Sequence, residues 1–544
     1  CAFGFQSLTA NTTANNNTAF GHKTLEANTT GTQNVAIGTN ALDANTTANN
    51  NVACGMNSLT ENTTGSENTG FGHRTLAENT TGVSNTAVGA NALDANTTAD
   101  GNTAIGDSAL SANSTGTVNT AVGRQALQNN TTASYNHAFG YLALQTNTTG
   151  SRNVGVGYAA LRLNTTGGDN VAIGYSTLDA NTTGTHNIGV GMEALRYNQT
   201  GGNNVAIGVD ALEDNTASNN TAVGYSSLKE NTSGTKNVAV GAYSLDANTT
   251  ADENTAVGFQ SLTTNSTGTQ NTAVGLDSLL NNTTGSNNTA VGKNALKNPS
   301  DQSQNTAVGC NALEAVTSAS ACTGLGHRAL ESLTEGDQST AVGQRALYQV
   351  TTASGNVGVG WNAGGGLTTG ADNVAVGQRA LDACTTGANN VAVGSEALSD
   401  CTSGGSNTAV GHDALANSTT SSSNTAVGSE AGVAVTDGVN NTLMGKDAGQ
   451  SVTGGGNNLL LGHDAGRSAS PSGNITTGSN NVCLGDNSIS NLFCADTSIS
   501  SSDSRDKTDV TSFNIGLAWI NALRPVTYKW DRRTWYGTEA EPYG

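Results

Sequence analysis

The stretch N-T-A-V-G-A-N-A-L-D-A-N-T-T-A-D-G at residues 85–101 recurs with small changes through most of the chain. Its opening pattern, Asn-x-Ala-Val-Gly or Asn-x-Ala-Ile-Gly, returns at Asn102 and then repeatedly, one unit every 17 residues. The step holds from Asn17 to Asn458 with a single shorter step of 16 residues, and a last unit begins at Asn481 after 23 residues. We therefore expect a repeat architecture of about 29 units.

The residue types of one unit indicate a coil that is stable only when stacked. We number the positions from zero at the leading Asn: positions one to three are small or β-branched, position four is Gly and position eight is nearly always Leu. Asn and Thr fill positions eleven to thirteen. So few apolar side chains, in a chain with 4% aromatic residues, cannot bury a core within one unit, whereas stacked units cover one another.

This pattern predicts an all-β solenoid over residues 1–480. N-T-A-V-G is typical of a short strand, and the Gly suits a corner with positive φ. In-register stacking then places Leu in an internal column and Asn in a polar ladder. With one coil per unit and a rise of about 4.8 Å, the rod would be roughly 140 Å long.

Two details inside the unit stay open from the sequence. The N-T-T-G segment is compatible with a second turn or a short strand, and G-x-x-A-L-x-x-N is compatible with one helical turn. The four prolines agree with a continuous ladder: Pro299 falls at position eleven, Pro471 in the long step, and Pro525 and Pro542 beyond the rod. A disordered chain would not need Leu at a constant phase.

Charge and composition exclude several classes of partner. The formal net charge is −20, with 41 acidic against 21 basic residues, so the chain offers little to neutralise phosphates and we expect no nucleic-acid partner. Acidic residues recur at positions nine and ten, which indicates a solvated face, and dense calcium-binding loops are lacking. No apolar run reaches the length of a membrane span. We expect neither a cofactor nor a metal.

Cysteine and histidine also follow the repeat. Cys384 and Cys401 stand one period apart at position eleven, so stacking predicts either a disulfide or two adjacent free thiols. Five of the seven His share position five, which we expect to be an exposed corner too widely spaced for metal ligation within one chain. These five are His22, His73, His327, His412 and His463.

The end of the chain has a different composition. Residues 501–510 read S-S-D-S-R-D-K-T-D-V, and residues 515–530 read I-G-L-A-W-I-N-A-L-R-P-V-T-Y-K-W. The apolar spacing after Asn514 predicts a helix that ends before Pro525, followed by a strand. We interpret residues 481–502 as a capping or neck segment and residues 503–544 as the beginning of a small α+β domain.

This tail resembles the intramolecular chaperone auto-processing domain found at the end of many phage tail fibres and tailspikes, including endosialidases. Ser502, Asp503, Arg505 and Lys507 match its S-D-x-R-x-K motif, and the helix and strand that follow match as well. The resemblance implies a homotrimer and single-turnover self-cleavage between Ser502 and Asp503, with Ser502 and Lys507 catalytic and Arg505 supporting. A serine hydroxyl needs such a base, and lysine can act as one only when neutral.

The repeats themselves resemble the head repeats of trimeric autotransporter adhesins in their N-x-A-[VI]-G core. We therefore predict a homotrimeric viral tail fibre or tailspike shaft, extracellular on a virion tail, that attaches to a host-surface glycan or outer-membrane component. The alternative is a bacterial trimeric surface adhesin at the cell surface. A turnover enzyme is not indicated. Because the chain begins in mid-repeat at Cys1, we interpret it as part of a longer polypeptide.

Overall fold

A computed structural model of the chain describes residues 1–491 and 493. The chain divides into two units, residues Cys1–Ser488 and residues Ile489–Gly544. The first unit is a parallel β-solenoid, which confirms the all-β prediction. The helix and strand predicted over residues 515–530 lie outside the described residues.

One short strand per coil builds a single sheet of 29 strands; β1 covers positions two and three of its unit, and each later strand covers positions one to three. The strands are β1 (Ala2–Phe3), β2 (Thr18–Phe20), β3 (Val35–Ile37), β4 (Val52–Cys54), β5 (Thr69–Phe71), β6 (Thr86–Val88), β7 (Thr103–Ile105), β8 (Thr120–Val122), β9 (His137–Phe139), β10 (Val154–Val156), β11 (Val171–Ile173), β12 (Ile188–Val190), β13 (Val205–Ile207), β14 (Thr221–Val223), β15 (Val238–Val240), β16 (Thr255–Val257), β17 (Thr272–Val274), β18 (Thr289–Val291), β19 (Thr306–Val308), β20 (Thr323–Leu325), β21 (Thr340–Val342), β22 (Val357–Val359), β23 (Val374–Val376), β24 (Val391–Val393), β25 (Thr408–Val410), β26 (Thr425–Val427), β27 (Thr442–Met444), β28 (Leu459–Leu461) and β29 (Val482–Leu484).

Every strand pairs in parallel with the next strand along the chain, and equivalent residues face each other. Val274 pairs with Val291, for example, and Val291 with Val308. The shorter and longer units keep this register, since Val205 pairs with Thr221 and Leu459 with Val482. The sheet thus continues to Leu484, inside the segment 481–502 that we expected to cap the rod.

The remaining positions of each unit form turns and bends rather than a helix or a second strand. Hydrogen bonds between coils continue around these turns: the Leu93 N–H donates to the Ala109 carbonyl at 3.0 Å, and the Gly106 N–H donates back to the Val88 carbonyl at 2.7 Å. The helical turn considered for G-x-x-A-L-x-x-N is therefore wrong. Among the described residues, no helix is long and apolar enough to cross a membrane.

The core is narrow because only small or slender side chains point inward. Ala at position two, Ala, Ser or Thr at position seven and Leu at position eight are buried in successive coils, and Leu93 has no exposed surface. This Leu also adopts a left-handed backbone, with φ 51° at Leu93 and similar values in other coils. Such a conformation costs about 1–2 kcal/mol per residue, and burial of a Leu side chain offsets it by about 1.5–3 kcal/mol.

The Gly at position four is required for two reasons: its backbone has a positive φ, and the next coil leaves no room for a side chain. Gly89 has φ 124°, and a Cβ there would lie 2.6 Å from the carbonyl oxygen of Gly106 in the next coil. The positive-φ corner expected from the sequence is thus confirmed, and the closeness of adjacent coils adds a steric reason for it.

Two files of buried Asn run along the solenoid, where the sequence predicted a single polar ladder. At position zero, the Asn51 N–H donates to Asn34 Oδ1 at 2.9 Å, and Asn51 Nδ2 donates to the Gly65 carbonyl at 3.0 Å. At position eleven, Asn45 Nδ2 donates to Asn28 Oδ1 at 2.7 Å. Each amide therefore satisfies buried polar groups of its own coil and of a neighbouring coil.

The ladder at position eleven, which starts at Asn11, reaches Asn282 and stops at Pro299. Beyond that point the same buried position carries mostly apolar or sulfur-containing side chains: Val316, Leu333, Val350, Leu367, Cys384, Cys401, Ser418, Val435 and Val452. The solenoid thus has a polar-lined part and an apolar-lined part that share one sheet.

Candidate functional sites

The predicted processing residues Ser502 and Lys507 lie outside the described residues, as do Asp503 and Arg505. Their geometry therefore stays a prediction. The last strand, β29, ends at Leu484, so the solenoid reaches to within a short stretch of sequence of the predicted cleavage bond.

Cys384 and Cys401 lie on adjacent coils, fully buried at position eleven. Both are free thiols, and Cys401 Sγ–H donates to Cys384 Sγ across 3.6 Å. The Cys384 thiol and burial together raise the pKa of Cys401 far above its usual range. Since the thiolate is the reactive form, the Cys401 thiol, protonated at neutral pH, reacts slowly. Stacking has brought the two thiols together, and the predicted disulfide remains a prediction.

The outward side of the sheet forms a second candidate site, which we call the strand face: positions one and three of β2–β29. Position one is Thr, Val, Ile or Leu except at His137, and position three is aliphatic or aromatic except at Cys54. Position three is well exposed at several points, with relative exposures of 55% at Phe20, 46% at Leu325 and 44% at Met444. The face thus combines an apolar file at position three with Thr or aliphatic side chains at position one, and it has no carboxylate, Lys or Arg.

Sequence reasoning grouped positions one to three as apolar and did not separate their directions. Successive side chains of a strand point to opposite sides, so only position two faces the core, as Ala87 does with no exposed surface. The strand face could have been predicted from the sequence by this rule, because in a Thr-Ala-Val strand the Thr and Val point to the side opposite the buried Ala.

Aromatic rings cluster at or next to position five in the middle of the shaft. The rings of Tyr141 and Tyr158 lie 5.5 Å apart, and those of Tyr158 and Tyr175 stack at 5.1 Å with an interplanar angle of 9°. Tyr225, Tyr243 and Phe259 continue the row in edge-on contacts. Each ring is between 36% and 51% exposed.

All five His of position five are exposed, as expected. One of them, His463, joins Asp447 and Asp464 in a group whose ligand atoms lie within 4.8 Å of one another. This group was not expected from the sequence. The Arg467 guanidinium lies 3.3 Å from Asp447 Oδ2 and also contacts Asp464, so the carboxylates are already neutralised by a cation.

A second carboxylate group consists of Glu193, Asp210 and Glu213. It too is interleaved with basic side chains: Arg196 lies 3.0 Å from Glu193, and Lys229 lies 3.3 Å from Glu213. These contacts are ion pairs within and between coils at a partly exposed surface, where each contributes little to stability.

At position nine, Asp43 and Asp246 each have a side-chain oxygen without a hydrogen-bond partner among the described residues, and the pKa shift is large at Asp246. Asp246 is partly buried. Desolvation, and then the nearby Glu230 carboxylate, raise the pKa of Asp246 to about 6. The acidic face is therefore not uniformly solvated, in contrast to the expectation from sequence.

Comparison with known proteins assigns the tail. Residues 502–542 match the model of a family described as the chaperone of endosialidase, Peptidase_S74. The match begins at Ser502 and so covers the S-D-x-R-x-K segment and the helix–strand pattern. A search of curated proteins found no match to the chain.

Proposed function

We propose, from the match of residues 502–542 to the chaperone of endosialidase family, that this chain is the shaft of a homotrimeric tail fibre or tailspike for host-surface attachment. In this proposal the segment from Asp503 onward belongs to a chaperone that assembles three chains and is then released. The observation that carries it is the position of that segment, directly behind a parallel solenoid of 29 strands.

The solenoid supplies a reason for such a chaperone. Strands β16–β19 all read Thr-Ala-Val, and they pair Thr on Thr, Ala on Ala and Val on Val. Copies displaced by one coil would present nearly the same surface to each other, so register between copies is weakly specified by the shaft. A trimeric nucleus at one end sets that register once.

The proposed release step is hydrolysis of the Ser502–Asp503 bond. Lys507 accepts the proton of the Ser502 hydroxyl, and the oxygen attacks the carbonyl carbon of the Ser502–Asp503 bond. The C–N bond breaks as Lys507 returns the proton to the Asp503 nitrogen. Water then hydrolyses the new acyl–oxygen bond, which leaves a carboxylate on Ser502, a free hydroxyl and the Asp503 amine. Lys507 must be neutral to act as the base, which burial in the assembled trimer together with the positive charge of Arg505 would favour. Cleavage would then follow assembly.

The test is expression of the gene through its natural C-terminus. Masses under denaturing conditions are compared for wild type, Ser502→Ala and Lys507→Ala, with sedimentation of the native proteins alongside. We expect trimers for all three and loss of everything after Ser502 in wild type alone. Identical intact masses, or a wild type that sediments as a monomer, would contradict the proposal.

A further inference from the structure

We propose that the strand face is the surface at which copies of this chain meet along the shaft. The inference rests on the proposed homotrimer and adds to it the side of the solenoid that faces the other copies. Its partner is a second copy of this chain, aligned in parallel so that equivalent coils lie at the same height.

The first argument is the continuity of the apolar surface. Aliphatic and aromatic side chains that are exposed or half-buried occupy position three of every strand from β2 to β29 except at Cys54. A single exposed Val or Ile is ordinary, but an uninterrupted apolar stripe on a protein surface indicates a contact with another molecule. Phe20, Phe71 and Phe139 also lie on this side, at exposures of 42–56%, so large rings remain partly in water unless another molecule covers them.

The second argument is electrostatic. Each chain carries a formal net charge of −20, so copies repel unless their charged side chains point away from the contact. The charged residues of the repeats lie chiefly at positions five, six, nine, ten, fifteen and sixteen. No Asp, Glu, Lys or Arg interrupts positions one and three of β2–β29. The strand face is thus a side on which parallel copies can approach with no charge between them.

The third argument is area. Positions one and three of a strand lie about 6.6 Å apart and neighbouring strands about 4.8 Å apart. Over β2–β29 this gives a flat area of roughly 900 Å² per chain, before the relief of the side chains is counted. Stable pairwise interfaces bury about 800 Å² per partner. Because each chain of a trimer meets two others, the flat face supplies roughly half of that area to each neighbour, and the relief of the side chains adds to it.

A glycan is the competing occupant, since exposed aromatic rings lie close by in sequence. Sugars stack on ring faces, however, and the rings of Tyr158 and Tyr175 are turned toward each other, 5.1 Å apart at 9°. Strands β16–β19 present only Thr and Val outward and offer no amide or charged group to a polysaccharide. The rings of Tyr225, Tyr243 and Phe259 meet edge to face and leave ring faces free, but they lie at positions five and six, outside the strand face.

The experiment places a photoreactive benzoylphenylalanine in the full-length protein, at Val274 on the strand face or at the exposed Asn287 at position sixteen of the same coil. After irradiation, crosslinked chains are separated under denaturing conditions and their peptides are identified by mass. We expect crosslinks between copies from position 274 in several-fold excess over position 287, and they should join it to β16–β18 of the other copy.

A second pair, Val274→Lys and Asn287→Lys, covers the case in which the bulky probe disturbs folding. We expect a lower thermal midpoint of trimer dissociation for the first variant and an unchanged midpoint for the second. A wild type that is monomeric by sedimentation overturns both this inference and the proposed function. A trimer that crosslinks between copies from position 287 and not from 274, or from 274 only to another kind of molecule, overturns this inference alone.

Discussion

The side-chain oxygen of Asn282 has no hydrogen-bond partner among the described residues because Pro299 lies over it, one coil further along. In the preceding coils that place is held by an Asn whose Nδ2 donates to the oxygen beneath, as Asn282 itself does to Asn265 at 2.8 Å. Pro299 has no side-chain donor, so the polar ladder ends with an unpaired acceptor.

This arrangement predicts that the same substitution, Asn to Leu, lowers the free energy of unfolding by different amounts at position 265 and at position 282. Asn265→Leu breaks the ladder bonds to Asn248 and Asn282 and leaves the oxygen of Asn248 unpaired. Asn282→Leu breaks one ladder bond and moves the unpaired oxygen back by one coil; both variants also lose the bond from Nδ2 to a carbonyl of their own coil. We expect Asn265→Leu to be the more destabilising by about 1–3 kcal/mol, measured as the shift in denaturant midpoint. Equal midpoints would show that the ladder bonds act independently of one another.

The corner Gly gives a second prediction with an internal control. Gly89→Ala places a Cβ 2.6 Å from the Gly106 carbonyl at φ 124°, and we expect a loss of at least about 1–3 kcal/mol from backbone strain alone. Gly101, at φ 68°, has only Val118 within 4 Å of its Cβ, at 3.8 Å. Gly101→Asn should therefore melt at or above the wild-type temperature. A similar loss in both variants would mean that the close contact between coils is not what requires Gly89.

Asp246 predicts a dependence of stability on pH. Its pKa is raised to about 6 in the folded chain, from an ordinary value of 3.8. A raised folded-state pKa contributes stability that is fully present below the unfolded value and is lost as the pH rises through the folded value. Asp246→Asn should melt close to wild type near pH of about 4 and above wild type at neutral pH.

Asp169 is the matched control, because the Arg152 guanidinium hydrogen-bonds its carboxylate and lowers its pKa. That carboxylate contributes stability above its unfolded pKa, and the contribution is lost as the pH falls through the folded value. Asp169→Asn should therefore lower the melting temperature slightly at neutral pH, opposite in sign to Asp246→Asn. Parallel melting curves for Asp246→Asn and wild type from acidic to neutral pH would contradict the assignment.

Much of the fold follows from the repeat alone, because a constant step forces equivalent residues to stack. The Leu column, the Asn ladders and the Gly corner are all consequences of that step. The left-handed backbone of Leu93 could not be predicted, since an isolated Leu avoids it and only the stacked coil enforces it. The sequence shows a proline in place of Asn at residue 299. That this leaves a buried oxygen without a donor could be inferred only once position eleven was known to be buried.

The candidate sites likewise divide into those that follow from the repeat length and those that depend on the structure. The proximity of Cys384 and Cys401 follows from the step, whereas the raised pKa of Asp246 depends on a partly buried environment at a position that usually bears a solvated acid. The strand face required knowing which strand positions point outward. For Ser502 and Lys507 the motif predicts roles, and their geometry lies outside the described residues.

The cysteine pair predicts slow oxidation to an intramolecular disulfide. With the sulfur atoms 3.6 Å apart, a modest shift brings them to bonding distance, and the oxidant accepts the two electrons and two protons released. Because both thiols are buried, we expect treatment with diamide to be slow under native conditions and faster in mild denaturant. The peptide mass should fall by two hydrogens in wild type and stay unchanged in Cys401→Ser. Rapid modification of both thiols under native conditions would contradict their burial.

The succession of nearly identical strands predicts how well the released shaft refolds into trimers after it has been unfolded. Within one chain, contacts join residues about one repeat apart, so coils can nucleate anywhere and grow. Between copies, a displacement by one coil sets Val against Val in β16–β19 and costs little. We therefore expect a shaft ending at Ser502 to recover few trimers after dilution from guanidinium, with displaced or aggregated assemblies instead. Full-length Ser502→Ala, which keeps the segment 503–544 attached, should recover trimers several-fold better under the same conditions. Equal recovery would show that the shaft specifies its own register and that the tail is not needed to align the copies.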